Sequence, residues 1–158
     1  MSVQDEPPQQ QGDGERGSAV VEFIGTAVLL LIPLIYLVLV AGRLQAGAFA
    51  AEGAAREAAR AMVTASSTGQ GLARAHTATA IAFADQGFDR GAAHEPGVLT
   101  FECSADPCLT PDASVGVRVR LEVPLPFVPS GLRGWVPLAV PVEAGHVAVV
   151  DRYADVGG

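Results

Sequence analysis

The chain has 158 residues, which is enough for one modest domain and an additional N-terminal segment. All 10 basic residues are arginine and 17 residues are acidic, so the net charge is −7. Such a chain has no basic face to neutralise phosphates, which argues against a nucleic-acid-binding protein. It also has no glycine-rich phosphate loop, nucleophile elbow or HExxH motif. The sequence therefore predicts no nucleic-acid partner, no enzyme activity and no cofactor.

The N-terminal segment, residues 1–17, is polar and rich in proline, glutamine and glycine. Because it cannot bury enough apolar surface to fold, we expect it to be disordered. The 20 residues 23–42 that follow soon after carry no formal charge. A helix of that length spans roughly 30 Å, the thickness of a bilayer's hydrocarbon core. We therefore predict a transmembrane helix over residues 18–42, bent at Pro33.

A buried helix of a soluble domain is the alternative, but few such helices are apolar on every face for five turns. The positive-inside rule does not orient the helix, since one arginine lies on each flank, Arg16 and Arg43. One carboxylate, Glu22, lies just inside the apolar segment, where an ionisable group is costly and usually functional.

The helical pattern continues beyond the apolar segment over residues 43–66. Alanine has the highest helix propensity, and Glu52 precedes Arg56 by four residues in the stabilising order. The alanines of this segment would let neighbouring helices approach closely, unless their number merely reflects a GC-rich genome. They are Ala46, Ala48, Ala50, Ala51, Ala54, Ala55, Ala58 and Ala59. A second, weaker helical pattern runs from about Leu72 to Gln86.

The remaining part of the chain, within residues 67–158, favours antiparallel strands. Residues 114–123 alternate between apolar and polar side chains, as expected of a strand with one buried face. Residues 98–103 and 138–151 are two further strand candidates, and Pro141 places the last of them at a sheet edge or a bulge. The predicted fold class is α+β: a long N-terminal membrane-spanning helix that continues as an extracytoplasmic helix, followed by a small antiparallel sheet.

The two cysteines, Cys103 and Cys108, lie five residues apart with Asp-Pro between them. They could close a small disulfide loop if this region lies outside the cytoplasm, or they could remain two free thiols. A zinc site would need four ligands, and His76, His94 and His146 show no ligand spacing near this pair. We predict no metal site, and no set of residues forms a catalytic constellation.

The residues around Glu22 carry a resemblance to a known family. The stretch RGSAVVEF before an apolar helix resembles the processing region of type IV pilin-like proteins. Pro33, the pair Gly42-Arg43 and the helix AAREAAR at residues 54–60 extend that resemblance. In this order and spacing they resemble the TadE-like family, minor pilins or pseudopilins of the tight-adherence (Tad/Flp) pilus. The resemblance covers about residues 16–63.

This resemblance implies a pilin-like structural protein that is processed by a prepilin peptidase. Cleavage between Gly17 and Ser18 would make Glu22 the fifth and Phe23 the sixth residue of the mature chain, as the family pattern requires. The new amine on Ser18 could then pair with the Glu22 carboxylate of the same or a neighbouring subunit.

The same resemblance implies a single-pass protein of the bacterial cytoplasmic membrane, with residues 1–17 as a cytoplasmic leader and residues 67–158 as an extracytoplasmic α/β region. Its partners would be the membrane, the prepilin peptidase, other pilins or pseudopilins and Tad assembly proteins. Incorporation into a surface pilus stays open.

Two alternatives stay open beside this interpretation. The chain could be an uncleaved, membrane-anchored extracytoplasmic binding or assembly module. It could also be a secreted protein whose signal sequence is removed at an A-x-A site, residues 46–48 or 48–50. However, the apolar segment is long for a signal sequence, and the residues before it are acidic.

Overall fold

The structure, a computed structural model, describes residues 13–128, 131, 134 and 138–153, and of residues 13–17 it describes the backbone. The chain divides into two compact units, residues 1–39 and 40–158. The elements follow in the order of two α-helices, a short 3-10 helix and three strands. They confirm an α+β layout with a long N-terminal apolar helix and a small antiparallel sheet.

Helix α1 runs from Asp13 to Val63, a length of 51 residues. It begins five residues before Ser18, so residues 13–17, which we expected in a disordered leader, are helical; residues 1–12 lie outside the described part. Pro33 lies inside the helix. Among the described residues, α1 is the only helix that is long and apolar enough to cross a membrane, and none of its most apolar 18-residue stretch is buried.

In the second unit, helix α2 runs from Thr68 to Asp85 and begins four residues before the predicted start at Leu72. Ser67 is its N-cap, and the Ser67 hydroxyl accepts a hydrogen bond from the Gln70 N–H at 3.3 Å. A side-chain oxygen at this position satisfies one of the N–H groups that a helix start leaves unpaired. The helix buries one face, formed by Gly71, Ala75, Thr79 and Phe83. A 3-10 helix, Gly91–His94, follows.

The sheet contains three described strands in the order β1–β2–β3: Leu99–Cys103, Ser114–Pro124 and Ala139–Val149. Both pairs of neighbours are antiparallel. Pro141 lies on β3, an edge strand, as predicted. The alternation predicted for β2 is confirmed, because every apolar member of the inner face is at most 2% exposed: Val115, Val117, Val119, Leu121 and Val123. The loop predicted between β2 and β3 lies partly outside the described residues.

The core joins this inner face to the second half of α1 and to α2. Six of the eight alanines noted in the sequence are at most 1% exposed: Ala50, Ala51, Ala54, Ala55, Ala58 and Ala59. The sequence suggested that these alanines let neighbouring helices approach closely; in the structure the methyl groups of these six lie in the core that α1 shares with α2 and the sheet. Small side chains here let a helix lie close to a sheet, which a stripe of leucines would prevent.

Candidate functional site

Four residues of the predicted processing and assembly site lie on consecutive turns of α1. Gly17 and Ser18 lie inside the helix rather than in an extended segment before it. Glu22 lies four residues after Ser18, one turn further along the same face. The side chains of Ser18 and Glu22 are exposed, and Phe23 is 73% exposed. The structure thus brings these residues together as neighbours along one helix.

Glu22 is the one charged residue between Ser18 and Gly42. The ion pairs among the side chains that the structure describes involve other acidic residues, and none involves Glu22. A cation that pairs with its carboxylate would therefore come from outside the described side chains. A cation supplied in a low-dielectric environment would be held more strongly there than in water.

Arg43, which follows the apolar segment, makes two contacts within the second unit. Its guanidinium lies over the ring of Phe88, 4.1 Å from the ring centroid, and its Nη2 donates a hydrogen bond to the carbonyl of Gly87 at 3.1 Å. Both partners follow the end of α2. Arg43 thus links α1 to Gly87 and Phe88, which follow α2, by a charge-assisted hydrogen bond and a cation–π contact. The sequence offered Arg43 as part of a resemblance and did not predict either contact.

Gly47, one turn beyond Arg43, is buried where α1 meets β2. A methyl group on Gly47 would overlap Cγ2 of Val123 and lie 3.6 Å from Cζ of Phe88. A second close approach occurs at Gly71 of α2, where a methyl group would come within 2.6 Å of the sulfur of Met62. Glycine at these two positions fixes how closely the helices pack, a role that the sequence pattern did not reveal.

Cys103 and Cys108 form a disulfide, with their Cα atoms 5.2 Å apart. The bridge ties the end of β1 to the loop before β2. The same loop is held to β2 by a pair of hydrogen bonds, from Ser104 N–H to the Ser114 carbonyl at 3.0 Å and from Ser114 N–H to the Ser104 hydroxyl at 2.8 Å. The sequence left open whether these cysteines form a disulfide or remain free thiols, and in the structure they form the disulfide.

Two histidines that are distant in sequence, His76 and His94, stack with ring centroids 5.4 Å apart. Nδ1 of His76 lies 2.9 Å from the carbonyl oxygen of Ala93, within hydrogen-bond distance. This pair connects α2 to the 3-10 helix. Within the described residues, no group of three or more histidine, cysteine, aspartate or glutamate side chains could hold a metal ion.

Comparison of the chain with protein-family models, with curated proteins and with solved structures gave no match.

Proposed function

We propose that the chain is a minor pilin or pseudopilin of a Tad/Flp-type pilus or a related secretion apparatus. One observation carries the proposal: Gly17, Glu22 and Phe23 stand in the pilin-like order at the start of a helix that is apolar and exposed over its following turns. The small sheet domain behind that helix is compatible with this role. The TadE-like resemblance supplies the family.

The proposed processing step would hydrolyse the peptide bond between Gly17 and Ser18. The bond lies in the first turns of α1, so the backbone there must open before a protease can bind it in an extended form. Glycine makes this opening easier, because it is about 1 kcal/mol less favourable than alanine in a helix. The missing Cβ of Gly17 also leaves room for the backbone at the surface of a peptidase.

After cleavage, the new amine of Ser18 and the carboxylate of Glu22 would lie one helical turn apart. The amine would carry a positive charge near neutral pH and could pair with Glu22 of its own chain or of a neighbouring subunit. Two buried opposite charges repay their desolvation only when they are well paired. We infer that Glu22 sets the axial position of each subunit in the assembly.

The disulfide supports an extracytoplasmic position for the sheet domain. Disulfides persist in oxidising compartments and are rare in the cytosol. The bridge between Cys103 and Cys108 therefore favours a topology with the N-terminus inside and the C-terminal domain outside. An uncleaved membrane-anchored module shares this topology and is the second candidate function, because the exposed apolar part of α1 would serve either role.

The contacts of α1 argue against the secreted alternative. Removal of a signal sequence at residues 46–48 or 48–50 would cut α1 within its length. It would also detach Arg43 from Phe88 and remove Gly47 from its contact with Val123. Such a cut would open the core between α1 and the sheet, which a signal peptidase site at a domain boundary would not do.

The mature N-terminus tests the proposal. We expect mass spectrometry of membrane-extracted protein, from cells with an active prepilin peptidase, to find a chain that begins at Ser18. A Gly17→Leu variant is the matched control and should retain the leader, because its side chain blocks the peptidase while favouring the helix. An intact leader in the unaltered protein would favour the uncleaved anchor, and an N-terminus at Phe49 or Ala51 would favour the secreted protein.

A further inference from the structure

The outer edge of β3 presents a row of backbone groups that no described residue pairs with. Val150 N–H donates to the Ala113 carbonyl, and Leu125 N–H donates to the Leu138 carbonyl. With the β2–β3 register, these bonds show that even-numbered residues of β3 direct their N–H and C=O groups toward β2. The odd-numbered residues therefore direct theirs away from the sheet.

This edge is accessible and suited to pairing. The odd-numbered residues from Pro141 to Val149 are all exposed, with Val147 at 64% and Val149 at 60%. Pro141 has no N–H, so the continuous row of outward donors covers residues 143–149. Beyond Glu143 the row carries no formal charge. An edge strand that carries no formal charge over residues 144–149 is a template for adding another strand.

The outer face beside this edge has a protrusion and a depression on the same strand. Gly116 and Gly145 help to line a depression of about 250 Å³, beside which Arg118 and Val147 stand. Neither glycine has a side chain to fill this space. Val147 projects from the strand two residues after Gly145 on the same face. The protruding Val147 and the depression at Gly145 lie two residues apart on one strand. The shape of this strand is therefore complementary to that of a second copy that runs in the opposite direction.

We propose that a second copy of this chain pairs with β3 along residues 143–149, antiparallel, about a two-fold axis through His146. In this contact between the two β3 strands, the β3 seam, Val147 of each copy lies opposite Gly145 of the other copy and fills its depression. Each Glu143 lies opposite Val149 of the other copy. All four outward N–H groups of each strand find carbonyl partners, and Pro141 stays outside the ladder.

The charges favour a second copy in this register. The two Glu143 carboxylates lie six residues apart along the seam, about 20 Å, which is more than the Debye length at physiological salt. Moving the axis to Gly145 would place Pro141 inside the ladder and Val147 opposite Glu143. Moving it to Val147 would place Glu143 opposite Asp151, and like charges directly opposite each other are destabilising. The axis at His146 avoids both conflicts.

Cysteine cross-linking tests the axis directly. In the seam the two His146 residues form a pair without mutual hydrogen bonds, with Cα atoms about 4.5 Å apart. This distance is in the range that a disulfide bridges. We expect His146→Cys in the full-length chain, in its membrane, to form a disulfide-linked dimer on mild oxidation. Val149→Cys is the control: it is also exposed on β3, but its two copies would lie about 20 Å apart.

A pair of charge substitutions tests the neighbours across the seam. In the His146→Cys background, Val147→Arg would place an arginine over Gly145 of the other copy, next to its Arg118. We expect the yield of linked dimer to fall about tenfold, because an arginine is too large for the depression that Val147 would fill and because Arg118 there already has Glu102 as its partner, 3.7 Å away. Val149→Arg, matched in charge and exposure, would face Glu143 and should leave the yield unchanged.

Equal linking through His146→Cys and Val149→Cys, or no linking through either, would overturn the proposal. So would equal yields from the two arginine variants. Strong linking through Gly145→Cys or Val147→Cys without His146→Cys would place the axis elsewhere and would also overturn it. Near-ultraviolet circular dichroism and the native Cys103–Cys108 bridge, checked in each variant, identify any that fails to fold. None of these outcomes depends on whether residues 1–17 are removed.

Discussion

Gly47 is buried, and it allows α1 to pack closely on β2 because it has no side chain. Val123, against which it packs, is β-branched and has little rotamer freedom to move aside. Gly53, six residues further along the same helix, has open space where a Cβ would be. The two glycines therefore form a matched pair in which helix propensity is the same and packing differs.

We predict that alanine at these two positions shifts stability in opposite directions. Gly53→Ala should raise the free energy of unfolding by about 1 kcal/mol, from helix propensity alone. Gly47→Ala gains the same propensity but overpacks the core, at a cost of about 1–3 kcal/mol, so the net effect should be destabilising. Thermal unfolding of the full-length chain in detergent, followed by circular dichroism, measures both. Equal shifts would show that the α1–β2 contact is loose.

The sequence predicted the residues of the sheet core better than those of the helix core. In β2, alternation with period two assigns each valine to one face, and the structure buries all of the apolar residues on that face. In α1 the alanines carry no such signal, since a small apolar residue fits a core, a close contact between helices or a compositional bias equally well. Only the packed structure distinguishes these, through Ala51 and Ala54 at 0% exposure.

The elements differ in how well their ends could be predicted. The start of α2 was placed too late because its apolar pattern begins at Leu72. The local signal was present as a Ser-x-x-Gln sequence, Ser67 to Gln70, which is typical of a capping box. In the structure the Gln70 side chain accepts hydrogen bonds from the N–H and hydroxyl of Ser66, at 3.3 and 2.9 Å. Capping chemistry therefore sets this boundary where hydrophobic periodicity does not.

At the same scale, the disulfide fastens β1 to the loop that leads into β2. We predict that the Cys103→Ser, Cys108→Ser double variant lowers the free energy of unfolding by about 2 kcal/mol, the value expected for a small closed loop. Reductant should destabilise the unaltered chain by a similar amount and leave the double variant unaffected. A reductant effect of equal size in both proteins would contradict this prediction, because the variant has no bridge to lose.

At the scale of the whole molecule, α1 carries two different surfaces along one helix. Its apolar part is exposed within residues 1–39, whereas its alanine face is buried within residues 40–158. The β3 seam adds a third surface, and a two-fold contact closes on itself and cannot propagate into a fibre. A contact through β3 would therefore stop at the dimer, and if the chain is a pilin, as we propose, growth of a pilus would depend on the N-terminal part of α1.

This division leads to a prediction for Glu22, which rests on the proposed function. Glu22→Ala should leave membrane insertion and removal of the leader intact, since alanine suits an apolar helix. It should reduce the amount of the chain in sheared surface fibres by about tenfold or more, because an amine buried without its partner charge is strongly destabilising.

Glu52→Ala is the control: it removes only an exposed i,i+4 pair with Arg56, 3.8 Å apart, which contributes little. Quantitative immunoblots of fibre and membrane fractions measure both variants. Equal amounts of Glu22→Ala and Glu52→Ala in the fibre fraction would show that the Glu22 carboxylate does not position the subunit. The place of Glu22 near the start of the apolar segment would then need another cause.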